Sequence, residues 1–84
     1  MHETGRGRIE GGKITGNGGA GIEVEEGSTV IVTGCAITGN DFEAVWVRDA
    51  DSTGTFRNND LRGNRRGAWD IAEGAKVERS GNIE

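Results

Sequence analysis

Apolar and polar side chains alternate with a period of two in short bursts along this chain. Gly21-Ile22-Glu23-Val24, Ala44-Val45-Trp46-Val47 and Ala68-Trp69-Asp70-Ile71 each read this way, as do Val30-Ile31-Val32 and Gly54-Thr55-Phe56. Successive side chains of a strand point to opposite faces, so period-two alternation predicts β-structure with one buried face. No window carries the 3.6-residue apolar stripe of an amphipathic helix. The bursts are separated by Gly, Asn, Asp and Ser, residues that accept tight or left-handed backbone. An all-β chain of short strands and tight turns is expected.

The bursts repeat. Ile14-Thr15-Gly16-Asn17 returns as Ile37-Thr38-Gly39-Asn40 and as Leu61-Arg62-Gly63-Asn64, so the unit is 23 or 24 residues long. Val77 to Ile83 begins a fourth copy. One unit holds three short strands and cannot bury its own apolar face, whereas stacked units can, each strand pairing with its copy one rung above at roughly 4.8 Å. Inward columns follow from parity: Ile22/Val45/Trp69, Val24/Val47/Ile71, Val30/Gly54/Val77, Val32/Phe56 and Ile14/Ile37/Leu61. Gly54 beside Phe56 is expected to compensate volume, and Trp69 to act as a lid on the last complete rung. Asn17, Asn40 and Asn64 are expected to form a corner ladder of stacked amides, with asparagine also tolerating left-handed backbone. Gly12, Cys35 and Asn59 share a second tight corner.

The I/L-x-G-N copies, the Gly-Ile-Glu-Val type strands and the Val30 to Ile37 segment resemble the right-handed parallel β-helix repeats of the pectate-lyase-like superfamily, including its carbohydrate-binding and sugar-hydrolase-type repeats. The resemblance covers residues 9–84. It implies a short right-handed parallel β-helix, a solenoid of about three complete rungs, with residues 1–8 as a flexible tail; the hand also follows the general crossover rule for parallel strands. The resemblance implies only that such modules occur appended to kinases, ATPases and secreted carbohydrate enzymes; a non-catalytic interaction or assembly module, the terminal part of a larger chain, is the expected function.

Composition narrows the partners. Val, Ile, Leu and Phe make up 16 of the 84 residues, which a narrow solenoid core explains, and glycine contributes another 16. A net charge of −4 argues against nucleic acid as partner. No apolar run approaches the roughly 20 residues of a membrane helix, and no signal peptide is evident. The single Cys35 excludes an internal disulfide and fits a reducing setting, leaving the compartment open but tilted toward the cytoplasm. No cofactor is expected.

Candidate chemistry lies on the outward columns. Glu23, Trp46 and Asp70 stack on one face, with Arg48 in the neighbouring column between Glu25 and Ala72. An exposed indole between carboxylates would suit sugar stacking, and Glu23 and Asp70 would stand about 9.5–10 Å apart, near the long end of the spacing for inverting glycoside hydrolysis. Three rungs cannot wall a deep groove, so no catalytic residue is assigned, and a carbohydrate-binding or carbohydrate-active face is the alternative to assembly. Gly16 to Gly21 matches G-x-G-x-x-G but precedes a strand where dinucleotide binding needs a helix. Asp49 and Asp51 begin a stretch that imitates a calcium loop without its helices, so no metal site is assigned beyond that weak candidate pair. Gly5-Arg6-Gly7-Arg8 and Arg65-Arg66 read as solvated arginines, and His2 has no assigned role. Open strand edges recruit strands. Arg79, where an apolar residue belongs, reads as a stop at the top, so self-association through the N-terminal rung around Ile9, Ile14 and Ile22 is expected, unless further rungs of a longer chain occupy that place.

Overall fold

The computed structural model describes residues 2–3, 6–25 and 27–84, with side chains from residue 6 onward. Ten strands follow one another: β1 His2–Glu3, β2 Arg6–Glu10, β3 Lys13–Thr15, β4 Ile22–Val24, β5 Thr29–Thr33, β6 Ala36–Thr38, β7 Val45–Val47, β8 Thr53–Arg57, β9 Trp69–Ile71 and β10 Lys76–Ser80. Paired strands are copies in successive rungs, and every pairing is parallel. One sheet runs β1-β4-β7-β9, a second β2-β5-β8-β10, and a third joins β3 to β6 and continues through single bridges at Asp60 and Ile83. The chain is thus a three-sheet coil of about three turns, without a helix among the described residues.

Register follows the repeat. Ile22 pairs with Val45 and Val45 with Trp69, while Val32 pairs with Phe56 and Ile14 with Ile37. Ile22, Val24, Val32, Ile37, Val45, Val47 and Phe56 are wholly buried. A Cβ at Gly54 would lie 2.6 Å from Phe56 Cε2, so the phenyl ring occupies the volume that glycine leaves. The loop between β7 and β8 holds residues 48–52, one more than residues 25–28 between β4 and β5.

Two corners are built alike. Gly11, Gly34, Asn58 and Gly81 are left-handed, with φ of 63, 64, 56 and 66°. Gly16, Gly39 and Gly63 are left-handed at the other corner, with φ of 69, 66 and 74°. This corrects one expectation: the ladder asparagines do not adopt the left-handed backbone, because the residue before each of them does. The asparagine side chain then serves the rungs. Asn17 Nδ2 donates to Asn40 Oδ1 and Asn40 Nδ2 to Asn64 Oδ1, both at 2.8 Å. At the end of the ladder Asn64 Nδ2 donates to the carbonyl of Ile37 in the rung below at 2.8 Å and to that of Leu61 in its own rung at 2.9 Å.

Pairing begins earlier than the sequence implies. Arg6, Gly7 and Arg8, expected in a tail, sit in register with Thr29, Val30 and Ile31. The five-residue strand β5 offers a full row of edge amides, and these hold β2 over its whole length although Arg6 to Arg8 carry no apolar alternation. His2 and Glu3 likewise pair with Glu23 and Val24.

The two ends of the coil differ. At the top, Phe56 and Trp69 meet edge to face with centroids 5.3 Å apart. The Arg79 guanidinium lies 5.2 Å from the Trp69 ring centre, so a charged residue in an inward register closes the core by folding over an aromatic face. At the bottom, where no such cover is seen among the described residues, Ile9 and Ile14 pack against the core but are only partly buried, as Trp69, Ile71 and Val77 are at the top.

Candidate functional site

Strands β4, β7 and β9 place Glu23, Trp46 and Asp70 in one outward column, rung upon rung. Arg48 follows β7 directly; its backbone N–H donates to the carbonyl of Val24 at 2.8 Å, which brings it beside Glu25 of the rung below. Its guanidinium reaches Glu25 Oε2 at 2.6 Å and Glu23 Oε2 at 3.9 Å, and lies 4.7 Å from the centre of the Trp46 ring. Glu23, Trp46 and Arg48 therefore converge, with Glu25 as the partner that the outward column alone does not nominate. Asp70 stands exposed at the upper end of that column.

This arrangement satisfies itself. The indole sits in the rung between Glu23 and Asp70, where the scissile bond of a sugar would have to lie for the two carboxylates to act on it. One face of the ring already carries the Arg48 guanidinium, 4.7 Å from its centre. Glu23 and Glu25 both answer to Arg48. These contacts link Arg48 of one rung to Glu23 and Glu25 of the rung below.

The remaining candidates lie elsewhere on the coil. Asp49 and Asp51 lie in the five-residue turn ahead of β8, where Ser52 N–H donates to the carbonyl of Asp49 at 3.2 Å, and no group of three metal-binding side chains occurs among the described residues. Gly21 belongs to the packing under the ladder: a Cβ there would come within 2.8 Å of the Ala44 carbonyl oxygen and collide with Ile37. Arg66 stacks on Phe42, 3.9 Å from the ring centre. Asp60 receives both Nε and Nη2 of Arg62 at 2.9 Å, and this fork of charged donors pulls its carboxyl down to about 2. Cys35 is buried, and its backbone N–H donates to Asn59 Oδ1 at 2.9 Å. Gly5 lies outside the described residues.

A second amide ladder, not anticipated from the repeat, stands at the other corner. Asn59 Nδ2 donates to Asn82 Oδ1 at 3.0 Å and to the carbonyl of Val32 at 3.1 Å. Its signal was present: Asn58-Asn59 and Gly81-Asn82 repeat a left-handed residue followed by asparagine at the rung spacing.

Strands β2 and β10 are the two outer edges of the second sheet, β2 at the N-terminal end of the coil and β10 at the other. Gly11 N–H donates to the carbonyl of Thr33. Amides alternate in direction along a strand, so Arg6, Arg8 and Glu10 turn their backbone N–H and C=O groups away from β5, toward the free edge. No strand among the described residues pairs there. Arg8 and Glu10 are close to one another on the outer side, 3.4 Å apart and well exposed. No helix among the described residues is long and apolar enough to cross a membrane.

A family model described as a right handed beta helix region matches residues 1–84, the whole of the chain. No curated protein and no solved structure matches it.

Proposed function

The chain belongs to the right-handed β-helix family, and on that footing we propose that it is a non-catalytic interaction and assembly module, joining copies of itself through its N-terminal rung. The observation that carries this reading is the outer edge of β2, whose amides have no partner among the described residues and beside which Ile9 and Ile14 are only partly buried. Strand β10 is an outer edge too, but there Arg79 folds over Trp69. Unpaired parallel edges with apolar flanks bury both features when a second edge joins them. The Trp46 face supports the assembly reading indirectly. Arg48 occupies the indole that an oligosaccharide would stack on, so the carbohydrate alternative would first have to displace a paired guanidinium.

Light scattering over a hundredfold concentration range tests the reading. The expected result is a mass that rises with concentration from 8.9 kDa toward twice that value, and an Ile9→Arg variant that stays monomeric while keeping its far-ultraviolet circular dichroism. A monomer throughout, with Ile9→Arg changing neither mass nor solubility, refutes it.

A further inference from the structure

We propose that two copies join through their β2 edges as an antiparallel two-fold pair, with Ile9 meeting the partner's Ile9 and each Arg8 facing the partner's Glu10. This pairing rests on the self-association read above and adds its geometry. Strand β2 reads Arg6-Gly7-Arg8-Ile9-Glu10, with the even residues outward and the odd residues inward. The free edge carries the amides of the even residues. In an antiparallel pair those residues form the hydrogen-bonded positions, and odd residues meet at the narrow positions, where Cα atoms come within about 4.5 Å.

Charge then selects the register. Centring the pair on Arg8 would set two guanidiniums directly opposite each other, which is unfavourable. A shift to Ile9 removes that clash and creates two Arg8–Glu10 cross-strand pairs. It also buries the two partly exposed Ile9 side chains against one another beneath Val32. Stacking the bottom of one copy on the top of another fits less well. Continuing the observed columns would place Arg6 on Lys76 and Ile9 on Arg79, leaving only Arg8 on Glu78 matched. A two-fold pair also closes, whereas head-to-tail stacking would propagate into fibres.

Single-cysteine cross-linking in a Cys35→Ala background tests the register. Ile9→Cys is expected to oxidise to a disulfide-linked dimer, because the paired Cα atoms lie within the range a disulfide spans. Arg8→Cys is expected to stay largely monomeric under oxidation, since the two copies of residue 8 would sit about 8–9 Å apart, beyond that range. A dimer by light scattering that cross-links through Arg8→Cys and not Ile9→Cys overturns this register while leaving self-association standing. A dimer that cross-links through neither overturns the β2 edge, and a chain monomeric at every concentration overturns the assembly reading as well. A charge swap provides the second measurement. Arg8→Glu and Glu10→Arg should each weaken dimerisation about tenfold, two favourable pairs becoming two like-charge pairs. The double variant should restore it; failure to restore, with circular dichroism unchanged, overturns the pairing.

Discussion

Replacing Asn40 by alanine removes four hydrogen bonds from one buried position. Asn40 is 2% exposed. Its Oδ1 accepts from the backbone N–H of Asn17 at 3.1 Å and from Asn17 Nδ2 at 2.8 Å. Its Nδ2 donates to Asn64 Oδ1 at 2.8 Å and to the carbonyl of Ile14 at 3.3 Å. At a net 0.5–1.5 kcal/mol each, four bonds amount to roughly 2–6 kcal/mol. Asn17, Asn64 and Ile14 are only half-buried, so water recovers part of the loss, and about 2–3 kcal/mol is expected. That is a large share of the roughly 4–13 kcal/mol that a chain of this length holds. It corresponds to a fall in Tm of about 10–20 °C. Urea denaturation followed by tryptophan fluorescence measures it, with protein concentration held constant because association would add to apparent stability. Asn40→Gly should be no milder than Asn40→Ala, since position 40 is not left-handed and glycine weakens ordered backbone by about 0.5–1 kcal/mol. An alanine variant within about 0.5 kcal/mol of the parent, or a glycine variant more stable than alanine, refutes the ladder as the source of stability.

Other positions give independent checks. Gly54→Ala should destabilise by about 1–3 kcal/mol through overpacking against Phe56, and adding Phe56→Leu should make the pair less than additive in a double-mutant cycle. Val47→Asp buries an unpaired carboxylate at a wholly buried position and should abolish the folded circular dichroism spectrum, while Trp46→Ser on the opposite face should preserve it. Asp60 titrates near 2 rather than 3.8 because Arg62 favours its charged form. Its contribution to stability is therefore complete above about pH 4 and disappears as pH falls through 2. An NMR titration should show Arg62→Ala returning the carboxyl to its ordinary range, and an unchanged midpoint would exclude the fork as the cause.

From Ile9 onward, strand positions, column membership and the number of rungs were legible in the linear chain. A period of two specifies which side chains share a face, and a period of 23 or 24 specifies which positions stack. In a solenoid nearly every contact links a residue to its own copy, so local pattern and tertiary register carry the same information. Ile22, Val45 and Trp69 could be aligned from spacing alone and do pair in that order. What spacing could not decide is where long side chains go once the rungs are stacked. Arg48 belongs to a column beside Trp46, yet its guanidinium crosses to lie on the indole and pairs downward with Glu25, a path open only because β4 and β7 are adjacent. Arg79 occupies an inward register and escapes burial by bending over Trp69, which depends on the opening at the top of the coil. The strand character of Arg6 to Arg8 was likewise invisible, because β2 has no alternation of its own and is held by the edge of β5. The corners divide the labour between two neighbouring residues. The sequence showed Gly-Asn as a unit, but only the backbone reveals that the first residue takes the left-handed turn and the second reaches across rungs to fill the hydrogen bonds.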